Sequence, residues 1–345
     1  MNEYKEKIID SFSGSRSQAQ KTLSAEKIVV LGYGIQGRAQ ALNLRDQGFH
    51  VSVGQRKSSV RWQKACEEGW VAGENLFPID QSFPEATLYL YLLSDAGQVQ
   101  RWPQFQTYLK PNKTLCLAHG FILAYPTQTH VKLPPKIDAL ILAPKGSGIS
   151  LREKFIKKEY LNAGYVILQD TSGKSTDKLK SLSLGIGTRY LFPTTLTREV
   201  YADLTGERGT LVAGIAALFE SQYQVLRKHG HSPLEAFYET VEEFTQSLLP
   251  LIAEKGIAHL LANISSTAQI GFFPWKEKFT RAISPVFEEL YEHVASGKEA
   301  KQVLNTLQDK DLQVQLKKRI EKYQQTEIWE VGKTIQGFRS DIQKT

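Results

Sequence analysis

The chain has 345 residues, a formal net charge of +7, 41% hydrophobic and 23% charged residues. That length exceeds what one core usually serves, so two domains are expected, and the composition is that of an ordinary globular protein needing no staple. The two cysteines, Cys66 and Cys116, have no CxxC spacing, which argues against a thiolate zinc site and fits a reducing compartment.

The opening stretch MNEYKEKIIDSFSGSRSQAQ has no apolar core and carries acids, so no targeting segment is expected. No run approaches the roughly 18 apolar residues that span a bilayer. The expected location is the cytoplasm, with no membrane partner. Lysines and arginines are dispersed among acids, so a nucleic acid is not an expected partner, and anionic small molecules are.

Along the chain, residues 27–31 (KIVVL), 50–53 (HVSV), 87–93 (TLYLYLL), 113–118 (KTLCLA), 139–143 (ALILA) and 165–168 (YVIL) read as strands. Continuous apolar runs of this length suit parallel strands covered on both faces, and the spacers are long enough for helices. This predicts a doubly wound α/β domain of Rossmann type over residues 1–190. Beyond about residue 185 the pattern takes a helical period, so residues 191–345 are expected to form an all-α domain. Helix starts are predicted at Ser232-Pro233 and at Ser284-Pro285, with serine as N-cap and proline in the first turn.

The first predicted strand runs straight into Gly32-Tyr33-Gly34-Ile35-Gln36-Gly37, which opens a helix through Ala39, Leu42 and Leu44 to Gly48. Strand before and helix after is the context in which GxGxxG binds a dinucleotide. Gly32 permits the tight turn, Gly34 lets the backbone approach the pyrophosphate, and Gly37 lets helix and strand pack closely. An NAD site places an acid at the end of the second strand. Here the sequence is Gly54-Gln55-Arg56-Lys57-Ser58-Ser59-Val60-Arg61, with three cations, two hydroxyls and no acid. That suits the 2′-phosphate of NADP, with Arg56 and Ser59 as leading contacts and Lys57 and Arg61 assisting. Asp95 and Gly146 complete the expected cofactor-binding set.

In the second half Asp203 and Glu207 are four residues apart, as are Glu239 and Glu243. On a helix that spacing shares one face. Paired carboxylates repel unless a cation lies between them, and oxygen donors without cysteine or histidine favour Mg²⁺. The spacing also fits a plain amphipathic helix. Phe237, Val241, Phe244 and Leu248 lie roughly opposite the two glutamates, so the acids could simply form a wet face.

At these residues the chain resembles the ketol-acid reductoisomerases, the acetohydroxy acid isomeroreductases of branched-chain amino acid synthesis, over nearly its whole length. It is similar to their short form. The segments that carry the resemblance are GYGIQGRAQALNL at 32–44, LAHGF at 117–121, APKGSG at 143–148, DLTGE at 203–207, ETVEE at 239–243, ISSTAQIG at 264–271, SGKEA at 296–300 and VGK at 331–333. They lie far apart and follow the family's order.

The resemblance implies a knotted helical domain and a homodimer or larger homo-oligomer in which one subunit supplies Asp203 and Glu207 and the other Glu239, Glu243 and Ser265. It implies catalytic roles for His119, Lys145, Glu243 and Ser265, and Mg²⁺ ions, two per site, on Asp203, Glu207, Glu239 and Glu243. The implied reaction is alkyl migration in a 2-hydroxy-3-keto acid, 2-acetolactate or 2-aceto-2-hydroxybutyrate, followed by reduction with NADPH to a 2,3-dihydroxy acid on the valine and isoleucine routes. The chain departs from the family pattern at Ser147, Ile149, Arg208, Ala262-Asn263 and Gln269. Two other readings remain: a reductase of another small keto acid without an isomerase step, and a silent NADP-binding relative.

Overall fold

The computed structural model describes residues 8–81, 86–306 and 311–339. The first seven positions of the segment read above for targeting lie outside the described residues, as do the last six positions of the expected helical domain. The chain divides into two compact units, Met1–Val200 and Tyr201–Thr345.

The first unit is built on a sheet of nine strands, β1 (Ile9–Asp10), β2 (Ile28–Leu31), β3 (Val51–Gln55), β4 (Leu76–Pro78), β5 (Leu88–Tyr91), β6 (Thr114–Leu117), β7 (Asp138–Pro144), β8 (Leu161–Gln169) and β9 (Thr188–Pro193), in the order β1-β9-β8-β7-β6-β5-β2-β3-β4. The stretch β4-β3-β2-β5-β6-β7 is parallel throughout. Its order reverses between β2 and β5, and that reversal opens a crevice at the carboxyl ends of the strands, where this fold class takes ligands. β2, β5 and β6 are buried along their whole length, as their continuous apolar runs require.

All six predicted segments are strands. The sheet is not wholly parallel, however: β8 runs antiparallel to β7, and β1 antiparallel to β9. An apolar run buried on both faces carries no direction, so the sequence could not reveal this. Three short strands escaped the sequence reading. β1 has two residues, β4 ends in proline, and β9, TRYLFP, is fully buried only at Thr188 and Leu191, with a short apolar run of Tyr190-Leu191-Phe192. β9 also carries the sheet past residue 190, into what was expected to be purely helical chain. From Leu196 onward every described element is helical.

In the second unit the start at Ser232 is as expected. The Ser232 hydroxyl accepts the Glu235 N–H at 3.2 Å, and the Glu235 carboxylate accepts the Ser232 N–H at 2.7 Å, a reciprocal cap. The start expected at Ser284-Pro285 is overturned. Both residues lie inside one helix, Ser266–Ala295, whose N-cap is Ser265. A proline removes one backbone donor, and the long run of neighbouring turns carries the helix past it. Tyr223, Ala236, Phe237, Val241, Ile328 and Ile335 form a small core in this unit.

Opposite the crevice, at the amino ends of β6 and β7, a charge cluster is buried in the first unit. Lys178 Nζ lies 2.9 Å from Glu26, 3.1 Å from Asp138 and 2.7 Å from the Thr114 hydroxyl. Burial alone would raise the Asp138 carboxyl. Hydrogen bonds from Ser172 and the charge of Lys178 outweigh it and hold the group below the usual carboxylate range. A folded-state pKa that is depressed contributes stability above the unfolded value, and that stability is lost as pH falls. Lys178→Met leaves a buried carboxylate unpaired, and urea unfolding at neutral pH is expected to show a loss of about 3–5 kcal/mol that shrinks as the pH is lowered.

Candidate active site

The dinucleotide turn is made by close backbone approaches. Gly32 has φ 101°, its N–H donates to Gly54 O at 2.8 Å, and a Cβ there would stand 2.8 Å from Leu92 O. A Cβ on Gly37 would stand 2.0 Å from Gly32 O, so only glycine lets the helix Ile35–Asp46 start this close to the turn. Gly34 is the N-cap and no side chain caps it, which leaves the first N–H groups aimed at whatever anion the crevice takes. Tyr33, expected at the cofactor, is 2% exposed. Its hydroxyl donates to Glu68 at 2.8 Å and accepts from Trp70 Nε1 at 2.9 Å. Burial, then the Glu68 carboxylate, pushes this phenol far up. Tyr33 therefore has only its backbone to offer a ligand. Ile35 is exposed on the first helical turn.

The loop after β3 lines an open groove of about 500 Å³ with Gly32, Arg56, Ser58, Ser59 and Arg61 among its walls. The Ser59 hydroxyl is committed to local structure: it donates to Arg56 O at 2.7 Å and accepts the Trp62 N–H at 3.2 Å, capping the helix Val60–Glu67. Ser58, not singled out from the sequence, presents the more exposed hydroxyl. Arg61 reaches over the glycine turn, 3.4 Å from where a Cβ on Gly34 would be. Lys57 is exposed beside the groove rather than on its wall. Asp95 opens the helix Asp95–Phe105 next to Ser94, which is its N-cap and lines the groove.

The turns after β6 and β7 bring His119 and Lys145 together on one acid, Glu199. Glu199 Oε2 lies 3.3 Å from His119 Nδ1, and Oε1 lies 3.3 Å from Lys145 Nζ. The Glu199 side chain is 1% exposed. Burial alone would raise its carboxyl, but the hydrogen bond and charge of His119, together with Lys145, hold it below the usual range. The Lys145 backbone is fixed by its N–H donating to Asn162 O at 2.8 Å. Gly146 accepts from Gln36 Nε2 at 3.1 Å. A Cβ on Gly148 would lie 2.2 Å from Ile35 O, so the lysine turn rests backbone to backbone on the dinucleotide turn.

Glu199 was not among the residues expected from the sequence. A signal was present: Glu199, Asp203 and Glu207 follow at steps of four along the helix Leu196–Arg208, a single acidic row.

In the second unit Asp203 is half-buried and Glu207 exposed. Glu239 and Glu243 are both exposed while Phe237 and Val241 are buried, so the two glutamates share the wet face of their helix. That helix is wound as a π-helix over Tyr238–Glu242 and Phe244–Leu248, a form frequent at functional sites. Ser265 caps the long helix by accepting the Ala268 N–H at 3.2 Å, which leaves its hydroxyl proton free to donate. The acids offer only carboxylate oxygens, a donor set that fits Mg²⁺.

The departures have local accounts. Ser147 caps the helix Gly148–Ile156, accepting the Ser150 N–H at 3.1 Å, and Ile149 is exposed on its first turn. Asn263 donates to His259 O at 2.8 Å and Gln269 to Leu261 O at 3.0 Å, so both tie down the chain around Ser265.

A sheet-reversal crevice, a glycine turn, and a histidine and lysine held at neighbouring strand ends define a dinucleotide-dependent oxidoreductase. Two family models cover most of the chain: Acetohydroxy acid isomeroreductase, NADPH-binding domain, over residues 22–190, and Ketol-acid reductoisomerase, C-terminal domain, over residues 196–341. The chain is 43% identical over 339 residues to a ketol-acid reductoisomerase (NAD(+)) of Desulfosudis oleivorans, covering 98% of this chain and 96% of that protein. It is 40% identical to the mitochondrial ketol-acid reductoisomerase of Neurospora crassa, covering 98% of this chain and 82% of that one. Among solved structures, an NADH-preferring ketol-acid reductoisomerase from an uncultured archean superposes with a TM-score of 0.85 at 26% identity, covering 96% of this chain and 99% of that one. The chain belongs to the ketol-acid reductoisomerase family and is an NAD(P)-dependent oxidoreductase.

Gly37→Ala drives a methyl group into the Gly32 carbonyl. The melting temperature is expected to fall and dinucleotide affinity, read by fluorescence titration, to drop by about tenfold or more, since overpacking of this kind costs about 1–3 kcal/mol. Unchanged affinity would show that the turn does not hold the cofactor.

Proposed function

We propose that this chain converts 2-acetolactate and 2-aceto-2-hydroxybutyrate to 2,3-dihydroxy-3-methyl acids for valine and isoleucine synthesis, using NADPH and Mg²⁺ in the cytoplasm. The observation that carries the reading is the helix Leu196–Arg208. It holds the Glu199 carboxylate on which His119 and Lys145 converge, and then presents Asp203 and Glu207 on the following turns.

Asp203, Glu207, Glu239 and Glu243 would hold two Mg²⁺ ions, with Asp203 serving both, and Glu243 would also accept a hydrogen bond from substrate or water. When bound, Mg²⁺ polarises the substrate's carbonyl and hydroxyl oxygens, and the nicotinamide supplies the hydride. Lys145, whose Nζ lies 3.3 Å from the Glu199 carboxylate, donates a proton to the oxygen that gains charge on reduction. His119 occupies the strand end that faces the nicotinamide in this fold class, with its Nδ1 3.3 Å from Glu199. Ser265 donates to the substrate.

The preference for NADPH over NADH is supported by the β3 loop, where Arg56, Ser58 and Arg61 line the groove and no acid awaits a ribose 2′-hydroxyl. Two similar proteins are named for the opposite nucleotide, so the test is direct. Arg56→Ala is expected to raise KM for NADPH about 10- to 100-fold, the worth of a hydrogen bond to a charged group, with KM for NADH little changed. Equal KM values for both nucleotides in the parent enzyme would refute the preference. We also assign the chain to a homodimer or larger homo-oligomer, supported by the exposed Ile270, Phe273, Trp275, Phe279 and Val286 on the helix Ser266–Ala295.

For the reaction itself, NADPH consumption with 2-acetolactate should require Mg²⁺. Asp203→Asn should abolish both isomerisation and reduction while leaving NADPH binding intact. Near-normal turnover of Asp203→Asn would remove the proposed metal site, and turnover without Mg²⁺ would point to a simple keto-acid reductase.

A further inference from the structure

Arg208 closes the helix that carries Asp203 and Glu207, and its guanidinium is shared between two carboxylates. Nη1 donates to Glu207 Oε2 at 3.1 Å, and Nε donates to Glu299 Oε1 at 2.7 Å. The two acids are not equivalent. The Glu207 side chain is 58% exposed, whereas that of Glu299 is 15% exposed. The other oxygen of Glu299, Oε2, lies 3.3 Å from His293 Nε2. Glu299 is therefore the firmer anchor, and Glu207 takes the looser share of the guanidinium.

We propose that Arg208 is a built-in counter-cation for Glu207 that competes with Mg²⁺, and that Glu299 sets the strength of this competition by drawing the guanidinium away. The inference rests on the reading of Glu207 as a metal ligand. The physical argument is short. A guanidinium hydrogen-bonded to Glu207 Oε2 takes up one acceptor site of the carboxylate and holds its orientation. Its fixed charge also repels a divalent cation a few ångströms away, and this repulsion is only partly screened at a half-exposed site. A helix carrying Asp203 and Glu207 on one face gains a local counterion when no metal is present, and gives up metal affinity in return.

The test reads Mg²⁺ binding directly, by titration calorimetry on the full chain loaded with NADPH. Arg208→Gln removes the charge and keeps a hydrogen-bonding side chain. It is expected to tighten Mg²⁺ binding by about tenfold, the effect of removing a single charge at this range. Glu299→Gln leaves Glu207 as the carboxylate partner of the guanidinium among the described residues, while Nη1 also donates to Leu204 O at 3.4 Å, and is expected to weaken Mg²⁺ binding several-fold. Arg208→Lys, which keeps the charge, should stay close to the parent. Opposite signs from the two neutral variants are not what a merely structural ion pair would give, since damage to the fold weakens binding in both.

Parent-like or weaker Mg²⁺ binding by Arg208→Gln overturns the inference, and so does parent-like binding by Glu299→Gln. Glu207→Gln separates the two levels of the argument. If it binds Mg²⁺ as the parent does, the ligand reading itself fails. If it loses Mg²⁺ while Arg208→Gln is unchanged, only the counter-cation role falls.

Discussion

A carboxylate sealed at the head of a sheet has to be matched by positive charge, and the arrangement around Glu199 follows from that requirement. Its side chain is almost wholly buried, with His119 Nδ1 3.3 Å from one oxygen and Lys145 donating to the other. An ionised carboxylate in such a place would be costly without these partners. The turns after β6 and β7 and the first turn of the helix Leu196–Arg208 are thus bound to one another through a single group. The same demand that stabilises the fold there holds an imidazole and an ammonium at fixed positions beside the crevice. Local stability and the placing of reactive groups are one interaction.

Much of the first unit was legible because its strands are covered on both faces and so read as unbroken apolar runs. What stayed hidden lacked that signature. β9 is fully buried only at Thr188 and Leu191, and β1 and β4 are too short to show a period. Direction stayed hidden for the same reason that strand identity did not: a run buried on both faces looks alike whichever way it points. In the second unit, Ser284-Pro285 mimicked a helix start that Ser232-Pro233 does make. The two differ in context. At Ser232 a glutamate three residues on completes the reciprocal cap, whereas Ser284 stands amid helix-forming neighbours on both sides.

The candidate site divided along similar lines. Motif residues at strand ends could be named, because glycine spacing and strand ends carry position. The commitments of individual side chains could not. The Tyr33 ring belongs to the core beside Trp70 and Glu68, and the Ser59 hydroxyl belongs to a helix cap. Glu199 was passed over because it falls outside the pair that the spacing made conspicuous, although it continues the same acidic row one turn earlier. Where the chain departs from its family's pattern, Ser147, Asn263 and Gln269 each make a hydrogen bond that secures nearby backbone. These substitutions therefore alter how the site is braced more than which groups it contains.

The seat of Gly148 on Ile35 reaches further than local packing. The lysine turn and the nucleotide turn leave no room between them for even a methyl group, and Gln36 ties them again through Gly146. Neither loop can be displaced without carrying the other. Whatever steadies the glycine turn therefore steadies the backbone that carries Lys145 as well.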